Sequence, residues 1–130
     1  MAESLSVHLP YVEGRPEVTA QLKSDTGESR FFEFLVDSGA DMCTISKSHA
    51  AQIGINYEHL DTKEENIEMV NFQSVHGKKS MATLSFRGFE KEIPILICKE
   101  AASPLLGRKG SFEMFDILFE ERKMQITLKP

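Results

Sequence analysis

Along the chain, short apolar runs alternate with turn residues, and the spacing within each run predicts its element. Val18, Ala20 and Leu22 alternate with Thr19, Gln21 and Lys23, the period-two pattern of a strand with one wetted face. Ser24-Asp25-Thr26-Gly27-Glu28 reads as a hairpin loop that returns the chain into the apolar strand Phe31-Phe32-Glu33-Phe34-Leu35-Val36. Ahead of these, Val7 to Leu9 form a short leading strand and Gly14-Arg15-Pro16 a turn. Beyond them, Met42-Cys43-Thr44-Ile45 is another short buried segment. Ser46 then caps a helix over 47–53, with Ala50 and Ile53 inward and Gly54 as its stop.

The second half follows the same grammar. The polar, acidic stretch 56–65 has the composition of an exposed loop. Strands over 67–70 and 80–86 flank a hairpin tip over 71–79, and Arg87-Gly88 turns the chain into the apolar strand 92–98. Pro94 lacks an amide hydrogen, which puts that strand at an edge or a bulge. A loop over 101–104 precedes a short helix over 107–115, where Gly110 is unfavourable. Strands over 116–120 and 124–128 flank a turn at Glu121-Arg122-Lys123. Strands this numerous and short, with two short helices, predict a mainly β fold, closed or sandwiched.

Composition narrows the class. A chain of 130 residues, 41% hydrophobic and 27% charged, is long enough for one domain with its own core. Its net charge of −5, with no basic stripe, argues against nucleic acid as the partner. The acidic N-terminus lacks the basic and apolar parts of a signal peptide, and no run nears the roughly 18 apolar residues of a membrane span. The expected location is the cytoplasm, with no membrane partner. Cys43 and Cys98 sit in apolar strand-like contexts and read as reduced core thiols, with a disulfide or redox switch as the alternative. The four histidines make no familiar metal spacing with them, so no metal or other cofactor is expected.

The chemistry concentrates where the strand 31–36 ends. Asp37 and Asp41 follow a buried run with only Ser38, Gly39 and Ala40 between them, small residues that permit a sharp turn and the close approach of another chain. Carboxylates beside a core must be paired, hydrogen-bonded or protonated, and such acids gather at functional sites. If the segment stayed extended, the two would stand about 13 Å apart, too far to share a proton; a turn at Gly39 could shorten this. A serine nucleophile is disfavoured, since no Gly-x-Ser-x-Gly elbow is present.

Val36-Asp37-Ser38-Gly39-Ala40-Asp41 resembles the active-site segment of the retropepsins, the homodimeric aspartic proteases that include the retroviral enzymes. Pro104-Leu105-Leu106-Gly107-Arg108 resembles the second signature of that family, two apolar residues, Gly and Arg, opening a short helix near the C-terminus. Segment order and chain length agree, and the resemblance covers about residues 15–128.

The resemblance implies one domain over 1–130, a retropepsin-like closed β-barrel or sandwich with two short helices and a flap hairpin. It implies catalysis by Asp37, Ser38 and Gly39, with the Ser38 hydroxyl bonding across a dimer. It assigns substrate contacts to Gly39, Ala40, Asp41, the flap residues Val75, His76 and Gly77, and Leu106, with Val36 and Ile45 as further pocket formers. It pairs Asp41 with Arg108, an ion pair expected in a poorly solvated place. Because one carboxylate must donate a proton and another accept one, and the chain has a single Asp-Ser-Gly motif, the second Asp37 comes from a second copy. Aspartic proteases are the known example of two carboxylates sharing one proton, and the pattern is taken over from them. Partners are then a homodimer, joined through 124–128, and a peptide or protein substrate. The flap segment carries one glycine where viral flaps carry more, so an ordinary hairpin tip stays open. An inactive peptide-binding module of the same fold is the alternative function.

Overall fold

The alternating positions of the first long strand are sorted inward and outward as their spacing predicts. In the computed structural model, which describes residues 6–68, 74–110 and 112–130, Val18, Ala20 and Leu22 of β2 (Glu17–Lys23) are buried. β2 runs antiparallel to β3 (Ser29–Val36), whose Phe32, Phe34 and Val36 are buried in turn. β3 lies parallel to the two-residue β8 (Leu105–Leu106), and β8 meets β4 (Cys43–Ser46) at Thr44↔Leu105. β4 is parallel to β7 (Phe89–Cys98), β7 is antiparallel to the long β6 (Ser74–Phe86), and β6 returns to β2 through Gln21↔Ser85 to Lys23↔Thr83. These pairings close the sheet on itself around Leu22, Phe34, Ile45, Leu84, Ile93, Ile95 and Ile97.

Two smaller pieces flank this ring. β5 (Glu65–Glu68) pairs along the first part of β6, the edge that β2 uses further on. A separate three-stranded sheet has β10 (Gln125–Lys129) between β1 (Val7–Pro10) and β9 (Asp116–Glu120), with Ile126 and Leu128 reaching the common core. The one α-helix among the described residues, α1 (Lys47–Gln52), is capped by Ser46, whose Oγ accepts from His49 N at 3.2 Å while the His49 ring takes the place that Glu has in the usual capping box. Gly54 follows with φ 79°, the left-handed stop that its position called for.

Several expectations need correction. The helix over 107–115 is absent among the described residues, which form turns there. Gly110 takes φ 96°, and a Cβ on it would lie 2.5 Å from Ile93 Cγ2, so this segment is pinned against the core in a non-helical conformation. The stretch 56–65 is more than a loop. Tyr57–His59 is a 3₁₀ turn whose Tyr57 is buried, donates to Glu64 at 2.7 Å and lies under Lys78, 4.7 Å from its ring centre. One aromatic anchor outweighs a polar composition. β6 begins at Ser74 rather than Ser80, so 74–79 of the expected tip is strand, while 69–73 lies outside the described residues. Pro94 does sit where β7 has a neighbour on one side, since β4 begins its pairing at Ile95. Cys43 and Cys98 are free and buried, and desolvation pushes both thiols up to about 11.

Candidate active site

Two segments far apart in sequence are stitched together at the end of β3. Leu35 N donates to Pro104 O at 3.0 Å, Asp37 N to Leu106 O at 3.0 Å, Arg108 N to Ala40 O at 2.9 Å and Lys109 N to Asp41 O at 2.9 Å. Between these anchors the chain turns: Ala40 N donates to Asp37 O at 3.2 Å, and Gly39 N to the Asp37 carboxylate at 2.9 Å. That last bond is an Asx-turn, the local reason why aspartate, followed by small residues, suits this corner. A Cβ on Gly39 would lie 3.2 Å from Asp37 Oδ1. Gly107 is under a stronger constraint, since a Cβ there would overlap the backbone of Met42. Only glycine lets the two segments approach so closely.

Asp37 is half-buried and Ser38 and Gly39 are exposed at the turn. Arg108 Nη2 donates to Asp41 Oδ1 at 2.7 Å, with 62% and 78% of the two side chains exposed. The pair therefore forms, but in solvent rather than in the poorly solvated place expected for it.

The turn opens on a cleft of about 360 Å³, in which Asp37, Gly39, Ala40 and Asp41 form part of the floor. Met42, Thr44, Leu96 and Leu105 supply apolar and small-polar surface, and Glu65, Asn66, Ile67 and Glu68 of β5 form the opposite wall with Lys79. Glu65 and Lys79 approach to 3.7 Å. Acidic groups predominate around this cavity, with Lys79 the one basic side chain in its lining among the described residues.

The expected flap contacts and Leu106 fall elsewhere. Val75, His76 and Gly77 lie on β6, opposite Ile67, Asn66 and Glu65 of β5, and it is the β5 residues that line the cleft. Gly77 is buried, with Leu96 Cδ1 and Ile97 O close to the place a Cβ would take, and His76 is held by Glu100, whose carboxylate lies 2.8 Å from His76 Nδ1. Leu106 points into the core beside Val36, and Leu105, its neighbour in the alternation, faces the cleft. Val36 and Ile45 are core residues as well. Thr44, Leu96 and the β5 residues were missed in the sequence. Residues 65–68 carry one apolar side chain among three polar ones, a pattern that gave no signal of a cleft wall.

Residues 26–109 match the family model described as "gag-polyprotein putative aspartyl protease". No curated protein matches the chain. Among solved structures, a retropepsin-like aspartic protease from Rickettsia conorii is similar with a TM-score of 0.73 and 16% identity, over 97% of this chain and 100% of that one. EIAV protease, solved with the inhibitor HBY-793, gives 0.54 and 18% over 75% of this chain and 85% of its own. The retroviral protease-like domain of Ddi1 from Leishmania major gives 0.55 and 12% over 88% and 94%. At these identities the structures speak to fold, and the fold they share with this chain is the retropepsin-like one.

Proposed function

The chain belongs to the gag-polyprotein aspartyl protease family, and from that premise we propose that it is a homodimeric aspartic endopeptidase, built on a single domain over 1–130, in which Asp37 of two copies hydrolyses a peptide bond. The observation that carries this reading is the placement of Asp37: it sits on a turn fixed by backbone bonds to 104–109 and lines a cleft of about 360 Å³. Two carboxylates held together keep one proton between them. The ionised one takes a proton from water as the water oxygen attacks the carbonyl carbon, and the protonated one donates to the carbonyl oxygen. Collapse of the resulting gem-diol then breaks the C–N bond as the nitrogen takes up a proton, so atoms and charge balance.

In this reading Gly39, Ala40 and Asp41 meet the substrate backbone along the floor, Ser38 bonds across the dimer, and the β5–β6 hairpin acts as the flap. Peptide lies extended between them, so backbone contacts give affinity and side-chain pockets give preference. The contacts expected of Val75, His76, Gly77 and Leu106 pass to Glu65, Asn66, Ile67, Glu68 and Leu105. Two free, buried thiols suit a reducing compartment such as the cytoplasm.

The test is incubation of the pure protein with a diverse peptide library from acidic to neutral pH, with Asp37→Asn as control. Cleavage that disappears in Asp37→Asn and is confined to a band of pH supports the proposal. Cleavage that survives the substitution, or keeps rising into alkaline pH, rejects it. Peptide binding without cleavage by the wild type points to the binding module.

A further inference from the structure

Beside Asp37, the lining of the cleft divides by chemistry. Met42, Ile67, Leu96 and Leu105 give it apolar surface, while Asp41, Glu65 and Glu68 give it carboxylates. Carboxylates at an exposed rim are by themselves an ordinary solvated surface, and two of these three already hold a cation. Arg108 Nη2 lies 2.7 Å from Asp41 Oδ1, and Lys79 Nζ lies 3.7 Å from Glu65 Oε2. Glu68, at the end of β5 opposite Ser74, is exposed, and its carboxylate has no hydrogen bond or ion pair among the described residues.

A second observation fixes the end of the cleft to which a cation belongs. Asp41, Met42 and Lys79 also line a neighbouring cavity of about 560 Å³, where Arg108 and Lys109 join them. Its carboxylates are Asp41, bonded to Arg108, and Glu113, 4.0 Å from Lys91, while Lys109 is exposed and has no ion pair among the described residues. The surface is therefore polarised, with its uncompensated carboxylate on the β5 wall and its uncompensated cation beyond Asp41. Apolar surface beside an unpaired carboxylate suits one type of side chain, since lysine and arginine lay an aliphatic stem on apolar atoms and keep the charged head in water. A wholly apolar side chain leaves that carboxylate without a partner, and an acidic one meets like charge.

We propose that the cleft selects peptides carrying a lysine or arginine, whose stem lies on the apolar lining and whose head pairs with Glu68; the inference rests on the reading of this cleft as a peptide site. Glu68 is thereby a specificity-determining residue. An exposed ion pair is worth up to about fivefold in affinity, and cover by the bound peptide strengthens it. The expected preference for lysine or arginine over norleucine, an uncharged side chain of similar shape, is therefore about three- to tenfold. Because the preference is one of charge, it should fall towards unity at about 1 M salt, where screening acts within about 3 Å.

The test uses the full chain and a library of blocked octapeptides in which each position in turn is lysine, arginine, norleucine or glutamate. Hydrolysis is followed with the wild type, and binding with Asp37→Asn, which leaves the peptides intact. Glu68→Gln and Glu68→Lys are made in both backgrounds. Glu33→Lys, which makes the same change of charge at an exposed position of β3 outside the cleft, is the control. The expected result is a salt-sensitive preference for lysine and arginine that shrinks in Glu68→Gln, is lost in Glu68→Lys and persists in Glu33→Lys. Hydrolysis that depends on Asp37 but is indifferent to the charge of the peptide, or a preference that Glu68→Lys leaves intact, would overturn this inference while the protease reading stands. Binding that prefers lysine through Glu68 in a protein that cleaves nothing would support the inference and end the protease reading. A cleft that neither binds nor cleaves any of these peptides would reject both.

Discussion

The floor and the roof of the cleft are built from different interactions, and in the proposed function the difference separates what would hold the chemistry from what would admit substrate. The floor is backbone against backbone: Asp37, Arg108 and Lys109 donate main-chain bonds across to 106, 40 and 41, and Gly107 lies where no side chain fits. The roof strand β5 pairs along one edge with β6 and has one ion pair of its own, Glu65 with Lys79, while at the base of the hairpin His76 of β6 is tied to Glu100 beyond β7; all four side chains face solvent. Close-packed backbone costs several kcal/mol to displace, while exposed ion pairs are each worth about 0–1 kcal/mol. Reacting groups need the first kind of support and a lid needs the second.

The largest expected effect therefore falls on the floor. Asp37→Asn preserves the oxygen that accepts from Gly39 N but cannot share a proton, so hydrolysis should fall by at least about 10³-fold. The far-UV circular dichroism should not change. Next comes Gly107→Ala, whose methyl must displace the backbone of Met42 and should cost about 3 kcal/mol in chemical denaturation. The matching change on the roof is Gly77→Ala, where the nearest atom is Leu96 Cδ1 at 2.8 Å and Ile97 O lies at 3.1 Å. A leucine methyl can swing aside, so the loss should be about 1 kcal/mol. Equal losses at the two glycines would erase the distinction between floor and roof.

This contrast also explains what the sequence made legible. Asp37, Gly39, Gly107 and Arg108 are fixed by requirements on individual residues: an Asx-turn, a missing Cβ, one charged bond. Such requirements leave fixed letters at fixed places. The roof depends on where β5 lies relative to the cleft, and Glu65, Asn66, Ile67 and Glu68, all of which line it, carry one apolar residue among three polar ones and no period that would mark them. The same holds for the Leu105 and Leu106 pair, where a shift of one residue exchanges core for cleft. The helix expected over 107–115 was lost because its glycines answer to Met42 and Ile93, neighbours in space that no local pattern reveals.

A smaller effect separates the floor's backbone from its exposed charges. Arg108→Ala should lower stability by about 0.5 kcal/mol, because both partners of the Asp41 bond stand in water. Arg108→Lys should be closer still to the parent. A loss of about 3 kcal/mol would mean that the pair is desolvated, and the floor would then depend on side-chain charge as well as on backbone.

The smallest effect lies at the base of the roof and is read locally. The Glu100 carboxylate accepts from the His76 ring at 2.8 Å and from His76 N at 3.0 and 3.1 Å, and these bonds, the ring bond foremost, hold its pKa below the ordinary glutamate range. A carboxyl whose folded value lies below its unfolded value stabilises the folded state fully above the unfolded value. That contribution is lost as pH falls through the folded value. The base of the hairpin should accordingly hold from neutral pH down to the ordinary glutamate range and loosen below it. Amide exchange at His76 and Lys99, whose N–H bonds straddle this contact, should quicken there, while exchange at Asp37, on the floor, should not. Glu100→Gln keeps an acceptor but not the charge, so it should remove the pH dependence with little change in global stability. If exchange on floor and roof quickened together as pH fell, the two would be opening as one unit, and a lid that moves over a fixed floor would have to be abandoned.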